Sequence, residues 1–158
     1  MDYLDKLAYS GYSLSDIYGF LGEEGVNEFL KKEEKMKTLL LINHNPANEL
    51  IKDLEERGYI NIEWVGDTKF KDVWSNIPTS LDIKDIENHL KELIEYISKN
   101  VNFLVIAGEP SAICVLKKVL NDVKFAVPVS ERISKDISQE DGTIKKISIF
   151  KYKGLRTF

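Results

Sequence analysis

Four apolar residues in a row, Leu39-Leu40-Leu41-Ile42, run straight into Asn43-His44-Asn45 and then Pro46. A short unbroken apolar run is the mark of a strand buried on both faces, as in a parallel sheet. The polar triplet reads as the loop at its carboxyl end, with Asn45 as N-cap and Pro46 as first residue of a helix. A strand buried on both faces needs a layer on each side, which commits the chain to an α/β architecture. Ligands of open α/β sheets bind at the carboxyl ends of the strands. The triplet Asn43-His44-Asn45 therefore faces the place where a ligand is expected.

The pattern continues in the same sense. Ala47, Leu50, Ile51 and Leu54 recur at helical spacing, and Gly58 stands where that helix should end. A second strand is expected over 60–65. A long connection follows over 66–81, with Trp74-Ser75-Asn76-Ile77-Pro78 at its centre. Ile83, Ile86, Leu90, Leu93, Ile94 and Ile97 predict one amphipathic helix. A buried third strand is expected over 103–107, a helix after Gly108-Glu109-Pro110-Ser111, and a fourth strand over 124–129. Arg132–Ser138 and Thr143–Tyr152 flank Gln139-Glu140-Asp141-Gly142, a hairpin signal. The expected fold is a Rossmann-like parallel sheet flanked by helices, with a C-terminal β-hairpin, over residues 37–158. Residues 1–36, broken by Gly19, Gly22 and Gly25, read as a short N-terminal helical extension.

Charge narrows the class of ligand. The net charge of −4 is carried by residues 1–36, which hold eight acids and four lysines. The remainder balances, and a near-neutral body argues against wrapping a long nucleic-acid duplex. From Thr143 to Phe158 there are five basic residues and no acids. That tail suits a small anion, or simply decorates an exposed strand. Cys114 is the only cysteine, so no intrachain disulfide forms; its place on an apolar helix predicts an inert core thiol. No apolar run has the length of a membrane span, and the acidic start lacks the features of a signal peptide. A cytoplasmic protein without membrane contact is expected.

Three loops are expected to converge at the carboxyl edge. They are Asn43-His44-Asn45, Gly108-Glu109-Pro110-Ser111, and Ser130-Glu131-Arg132 after the fourth strand. His44 at a strand end is placed to handle a proton or to anchor its loop. Gly108 allows close backbone approach, and Arg132 offers a fork for phosphate. Glu109 fits ribose hydroxyls or an adenine amino group, or faces solvent. Ser111 reads as a helix cap or a phosphate donor. Trp74 either stacks on a base or anchors its loop to the core, with Ser75 and Asn76 beside it. His89 is expected to be solvated. No phosphate-loop or dinucleotide glycine motif is present, and the histidines lack metal-ligand spacing, so no cofactor or metal is expected.

Taken together, Asn43-His44, Trp74-Ser-Asn-Ile-Pro78, Gly108-Glu-Pro-Ser-Ala112, Ser130-Glu-Arg132, Glu140-Asp-Gly-Thr-Ile-Lys-Lys146 and Phe150 through Arg156 carry a family likeness. From Lys37 onward the chain resembles the CRISPR-associated Csx-type stand-alone ring nucleases, type III accessory proteins with a minimal CARF-like domain. The resemblance implies a homodimer that binds a cyclic oligoadenylate, cyclic tetra-adenylate above all, across its two-fold axis. It further implies metal-independent cleavage by 2′-hydroxyl attack, with His44 in acid/base or phosphate-positioning work and Arg132 and Arg156 stabilising charge. Asn43, Asn45, Ser75, Gly108, Glu109, Ser111 and Ser130 would contact the ligand, and Trp74 with Asn76 would cover an adenine. One departure stands out: Tyr152 lies where the resemblance implies a histidine. A sponge or sensor that leaves the ring intact, and a Rossmann-like protein using another nucleotide, are the rival readings.

Overall fold

The computed structural model describes residues 37–158, together with Gly19, residues 22–25 and Asn27. The expected helical extension over 1–36 otherwise lies outside the described residues. The chain divides into two units, Met1–Lys35 and Met36–Phe158. The second unit is a five-stranded sheet of order β2-β1-β3-β4-β5. Its elements are β1 (Lys37–Leu41), α1 (Asn48–Glu56), β2 (Ile62–Trp64), α2 (Lys71–Ser75), α3 (Ile83–His89), α4 (Lys91–Asn100), β3 (Val101–Ile106), α5 (Pro110–Val119), β4 (Lys124–Ser138) and β5 (Ile144–Thr157). All pairings are parallel except β4 with β5. This is the expected Rossmann-like α/β fold with its C-terminal hairpin. Among the described residues, no helix is long and apolar enough to cross a membrane.

The apolar runs fill two layers because successive side chains of a strand point to opposite faces. Leu39, Leu41, Leu104, Ile106 and Phe125 pack on one face with buried residues of α2 to α5. Leu40, Ile42, Phe103, Val105 and Ala126 pack on the other with Leu50 and Leu54 of α1. The crossover through α1 leads to one side of β1, and that through α2 to α4 leads to the other. Strand order therefore reverses between β1 and β3, which defines the switch point of the sheet.

Several boundaries differ from the expectations, each for a local reason. α1 starts at Asn48 with Ala47 in the N-cap position and no side-chain cap, so Asn45 and Pro46 belong to the preceding loop. The helix ends as expected: Gly58, at φ +87°, places its N–H on Glu55 O at 2.9 Å and that of Tyr59 on Leu54 O at 3.0 Å. The Trp74 segment is not a loop but the short helix α2. The single helix expected over 83–97 turns slightly at Leu90, yet Ile94 N–H still bonds Leu90 O at 2.8 Å. Ile86, Leu90, Leu93 and Ile97 consequently keep one buried stripe.

The largest difference is at the C-terminus. The fourth strand and the first hairpin strand are one continuous β4, paired with β5 from Ala126↔Thr157 out to Ser138↔Ile144. Ser130, Glu131 and Arg132 lie within that strand rather than in a strand-end loop. The register shifts once, between Val129 and Ser130, which leaves Lys153 as the extra residue of a β-bulge. The turn follows the Asp-Gly signal, with Gly142 N–H on Gln139 O at 3.0 Å and Thr143 N–H on Asp141 Oδ1 at 2.9 Å.

Candidate functional site

A cleft of about 530 Å³ opens at the carboxyl edge of β1 and β3. Ile42, His44, Asn45, Ala47 and Leu50 line it from β1 and α1, and Ala107 from the end of β3. Pro128 and Ser130 of β4 with Phe150 and Tyr152 of β5 form its far wall. The cleft thus sits at the switch point, where the helices after β1 and β3 diverge. Its floor is apolar and its rim polar: Ile42 and Leu50 are buried, while His44, Asn45 and Ser130 are exposed. Phe150 is 69% exposed at the mouth.

The first wall is held by Trp64. Its indole N–H donates to Ile42 O at 2.9 Å and pins the chain immediately before Asn43 and His44. The ring fits only because residue 66 is glycine, where a Cβ would come within 2.4 Å of it. Ser75 Oγ donates to Asn43 Oδ1 at 3.3 Å, tying this loop to α2. The opposite wall is tied to α1 by Tyr152, whose hydroxyl donates to Asp53 Oδ2 at 2.6 Å. Arg57 donates to the same carboxylate, Nε to Oδ1 at 2.7 Å. Arg57 first and Tyr152 second hold the Asp53 carboxyl below its ordinary range, and burial beside Asp53 pushes the Tyr152 phenol up. Tyr152 is therefore neutral and acts as a clamp.

Two helix N-termini point toward this edge, and they differ. Glu109 caps α5 with its own carboxylate, Oε2 accepting from Ala112 N–H at 2.8 Å. The N–H groups of Ser111 and Ala112 lower its carboxyl from the ordinary value. The end of α5 is thus already supplied with negative charge, and Glu109 serves its own helix. α1 has no side-chain cap, and Ala47 at its start lines the cleft. Leu50 N–H already bonds Ala47 O at 3.1 Å, so among the described residues the first-turn N–H groups of Asn48 and Glu49 are the ones available to an anion.

Of the residues singled out from the sequence, His44, Asn45 and Ser130 meet at the cleft. Asn43 and Ser75 bond each other beside it, and Asn76 ends α2. Trp74 does not line it: the residue is 2% exposed and packs in the core. Gly108 owes its small size to that ring, since a Cβ there would lie 2.8 Å from Trp74 Cζ2. Ser111 is half-buried in the first turn of α5. Arg132 lies directly across from Phe150, on the cleft's face of the hairpin, and donates from Nε and Nη2 to Ser148 Oγ at 3.1 and 2.9 Å. Arg156 pairs with Val127, which packs against the α2–α5 side, so Arg156 lies on the sheet face away from the cleft.

Two other expectations change. Cys114 is exposed rather than in the core. His89 is half-buried, with Nε2 3.0 Å from Val73 O, and fixes α3 to α2. The aromatic wall of Phe150 and Tyr152 was not among the expected contacts. Counting outward from the Asp141-Gly142 turn would have set Phe150 opposite Arg132 and Tyr152 opposite Ser130.

No curated protein and no solved structure matches the chain. A family model does, over residues 36–156, which takes in the sheet, the helices and the cleft walls together. The chain belongs to the Uncharacterized protein MJ1673 family.

Proposed function

We propose that the cleft binds a cyclic oligoadenylate, most plainly cyclic tetra-adenylate, and that a cytoplasmic homodimer of the chain cleaves it. Cleavage would shut down type III CRISPR signalling. The observation that carries this reading is the exposed His44 beside the uncapped start of α1, over an apolar floor at the switch point. A phosphate suits the free N–H groups of α1, and a base suits the apolar floor and the ring of Phe150. The resemblance of residues 37–158 to the Csx-type ring nucleases supports the choice of ring.

The chemistry needs few groups. A ribose 2′-hydroxyl attacks the neighbouring phosphorus in line with the bond to the 5′-oxygen. The new bond closes a 2′,3′-cyclic phosphate, and the 5′-oxygen leaves. The proton lost by the 2′-oxygen is balanced by one gained at the 5′-oxygen. Among the side chains lining the cleft, the imidazole of His44 is the one suited to general acid–base work. Alignment of the three reacting atoms supplies the rest. Arg132, once released from Ser148, would add positive charge on the hairpin side of the ring.

The test is incubation of the full chain with cyclic tetra-adenylate in the presence of a chelator, with products separated by chromatography and weighed. Linear products ending in 2′,3′-cyclic phosphate are expected, and His44→Ala should slow their formation on the order of a hundredfold. A second reading, a sponge that holds the ring without cutting it, draws on Tyr152 being engaged by Asp53 where the resemblance implies a histidine. Saturable binding with the ring intact after long incubation would select it.

A further inference from the structure

Beyond the body of the sheet, β4 and β5 continue as a two-stranded ribbon of nine register pairs, from Ser130↔Tyr152 to Ser138↔Ile144. No residue from Ser130 to Lys151 is buried, and Ile137, Ile144, Ile149 and Phe150 are all more than 45% exposed. A ribbon of two strands has little stability in water without a third strand or a covering layer. β3 pairs with β4 only over Lys124–Ala126, so the edge of β4 from Val127 to Ser138 has no neighbouring strand among the described residues. The outer edge of β5 is also open. It is guarded by Lys145, Lys146, Lys151, Lys153 and Arg156 with no acid between Thr143 and Phe158, a composition that repels a second copy.

The β4 edge reads differently. Its exposed stretch is Ser130-Glu-Arg-Ile-Ser-Lys-Asp-Ile-Ser138. Laid antiparallel against itself about Ser134, this sequence sets Ser130 opposite the partner's Ser138 and Arg132 opposite the partner's Asp136. The second half repeats both pairings by symmetry. Glu131, which already pairs with Lys153 of its own chain at 2.8 Å, falls diagonal to the partner's Lys135 on the other face. Arg132 and Asp136 have no oppositely charged group within 4.0 Å among the described residues, although Asp136 stands directly across from Lys146 within its own hairpin. Opposite charges directly across an antiparallel pair stabilise it, and like charges oppose it.

We infer that the free edge of β4 pairs with the same edge of a second copy, centred on Ser134, to join two ribbons into one four-stranded antiparallel sheet. The inference rests on the homodimer proposed above and names the surface that makes it; with Ser130 eight residues from the partner's Ser130 along the paired strands, about 27 Å, each cleft holds its own ring rather than sharing one across the axis. The two-fold axis of such a pairing stands perpendicular to the sheet, so both clefts open on the same side of it. The same register carries the partner's turn, Gln139–Thr143, past Ser130 toward the rim of the cleft.

The pairing makes a charge test available. Wild-type chain should be dimeric by light scattering. Arg132→Asp sets two acids against each other and Asp136→Arg sets two cations, so each variant alone should be monomeric. Its dissociation constant should rise on the order of a hundredfold. Mixed in equal amounts, the two variants should form a dimer, because both contacts across the axis are complementary again. Independently, Ser134→Cys in a Cys114→Ser background should form an intermolecular disulfide on mild oxidation, since directly opposed Cβ atoms lie about 5 Å apart. A wild-type dimer that both charge variants and the cysteine leave unchanged overturns this surface and spares the homodimer. A mixture that stays monomeric while both chains are folded by circular dichroism overturns the register. A wild type that is monomeric with and without cyclic tetra-adenylate overturns the homodimer and the surface together.

Discussion

At residue 108 the absence of a side chain decides what its neighbour can do. Trp74 packs against Gly108, buried, with its indole N–H lacking an acceptor among the described residues. That orphan costs about 1–3 kcal/mol. The ring removes on the order of 200 Å² from water, worth about 5 kcal/mol, so packing outweighs the lost hydrogen bond. Gly108→Ala drives a methyl group into the ring and should destabilise the fold by about 1–3 kcal/mol. Urea unfolding followed by tryptophan emission reads this directly. An unchanged midpoint would mean that Trp74 has room to shift. The outcome also separates two roles for Gly108: space for a core ring lowers stability when lost, whereas close approach to a ligand lowers affinity alone.

Among elements, α1 serves both the core and the cleft. It is the one helix, among the described residues, on its face of the sheet, and Leu50 and Leu54 are its buried anchors. Its first turn is also a wall of the cleft. Leu54→Ala should cost about 2–5 kcal/mol, a large part of a typical stability of about 5–15 kcal/mol. Thermal unfolding checks the loss, and under the proposed function binding of cyclic tetra-adenylate should weaken with it because Ala47 and Leu50 move with the helix. The elements themselves were largely legible in the sequence. Burial of whole strands shows as Leu39–Ile42 and Phe103–Ile106, and the stripe Ile86, Leu90, Leu93, Ile97 shows as helical spacing. What was not legible is where polar side chains go once elements meet. Glu109, rather than Ser111, became a cap because its carboxylate reaches Ala112 N–H. Trp74 went inward because Lys71–Ser75 coils into a helix, which no periodicity in so short a segment announces. Ser130–Arg132 looked like a loop because a strand leaving the body of the sheet loses its apolar alternation on both faces.

Over the whole molecule, the first crossover helix and the last strand are joined by one carboxylate. Asp53 accepts from Arg57 on its own helix and from Tyr152 on β5, so it holds the two walls of the cleft at a fixed separation. Its pKa is lowered in the folded chain. The stabilisation it gives is therefore complete above the ordinary carboxylate range and is lost as the pH falls through the lowered native value. As the pH falls from about 5 through the lowered native value, wild type should lose stability faster than Asp53→Asn, whose amide does not titrate and keeps an acceptor for one of the two partners. Chemical denaturation at a series of pH values measures the difference, and parallel curves would mean that Asp53 gives no pH-dependent stability.

The bulge at Lys153 bears on all of this. The strand carries one surplus residue there, beside Gly154 at φ +145°, while Tyr152 and Leu155 still present themselves to the same side of the sheet. The surplus leaves facing untouched and adds a bend and extra twist. The slope at which the ribbon leans over the mouth is therefore a quantity of its own, adjustable by a single codon without disturbing either the interior or the side chains on display. Lengthening or shortening this joint would give descendants of one fold a simple route to ligands of different girth.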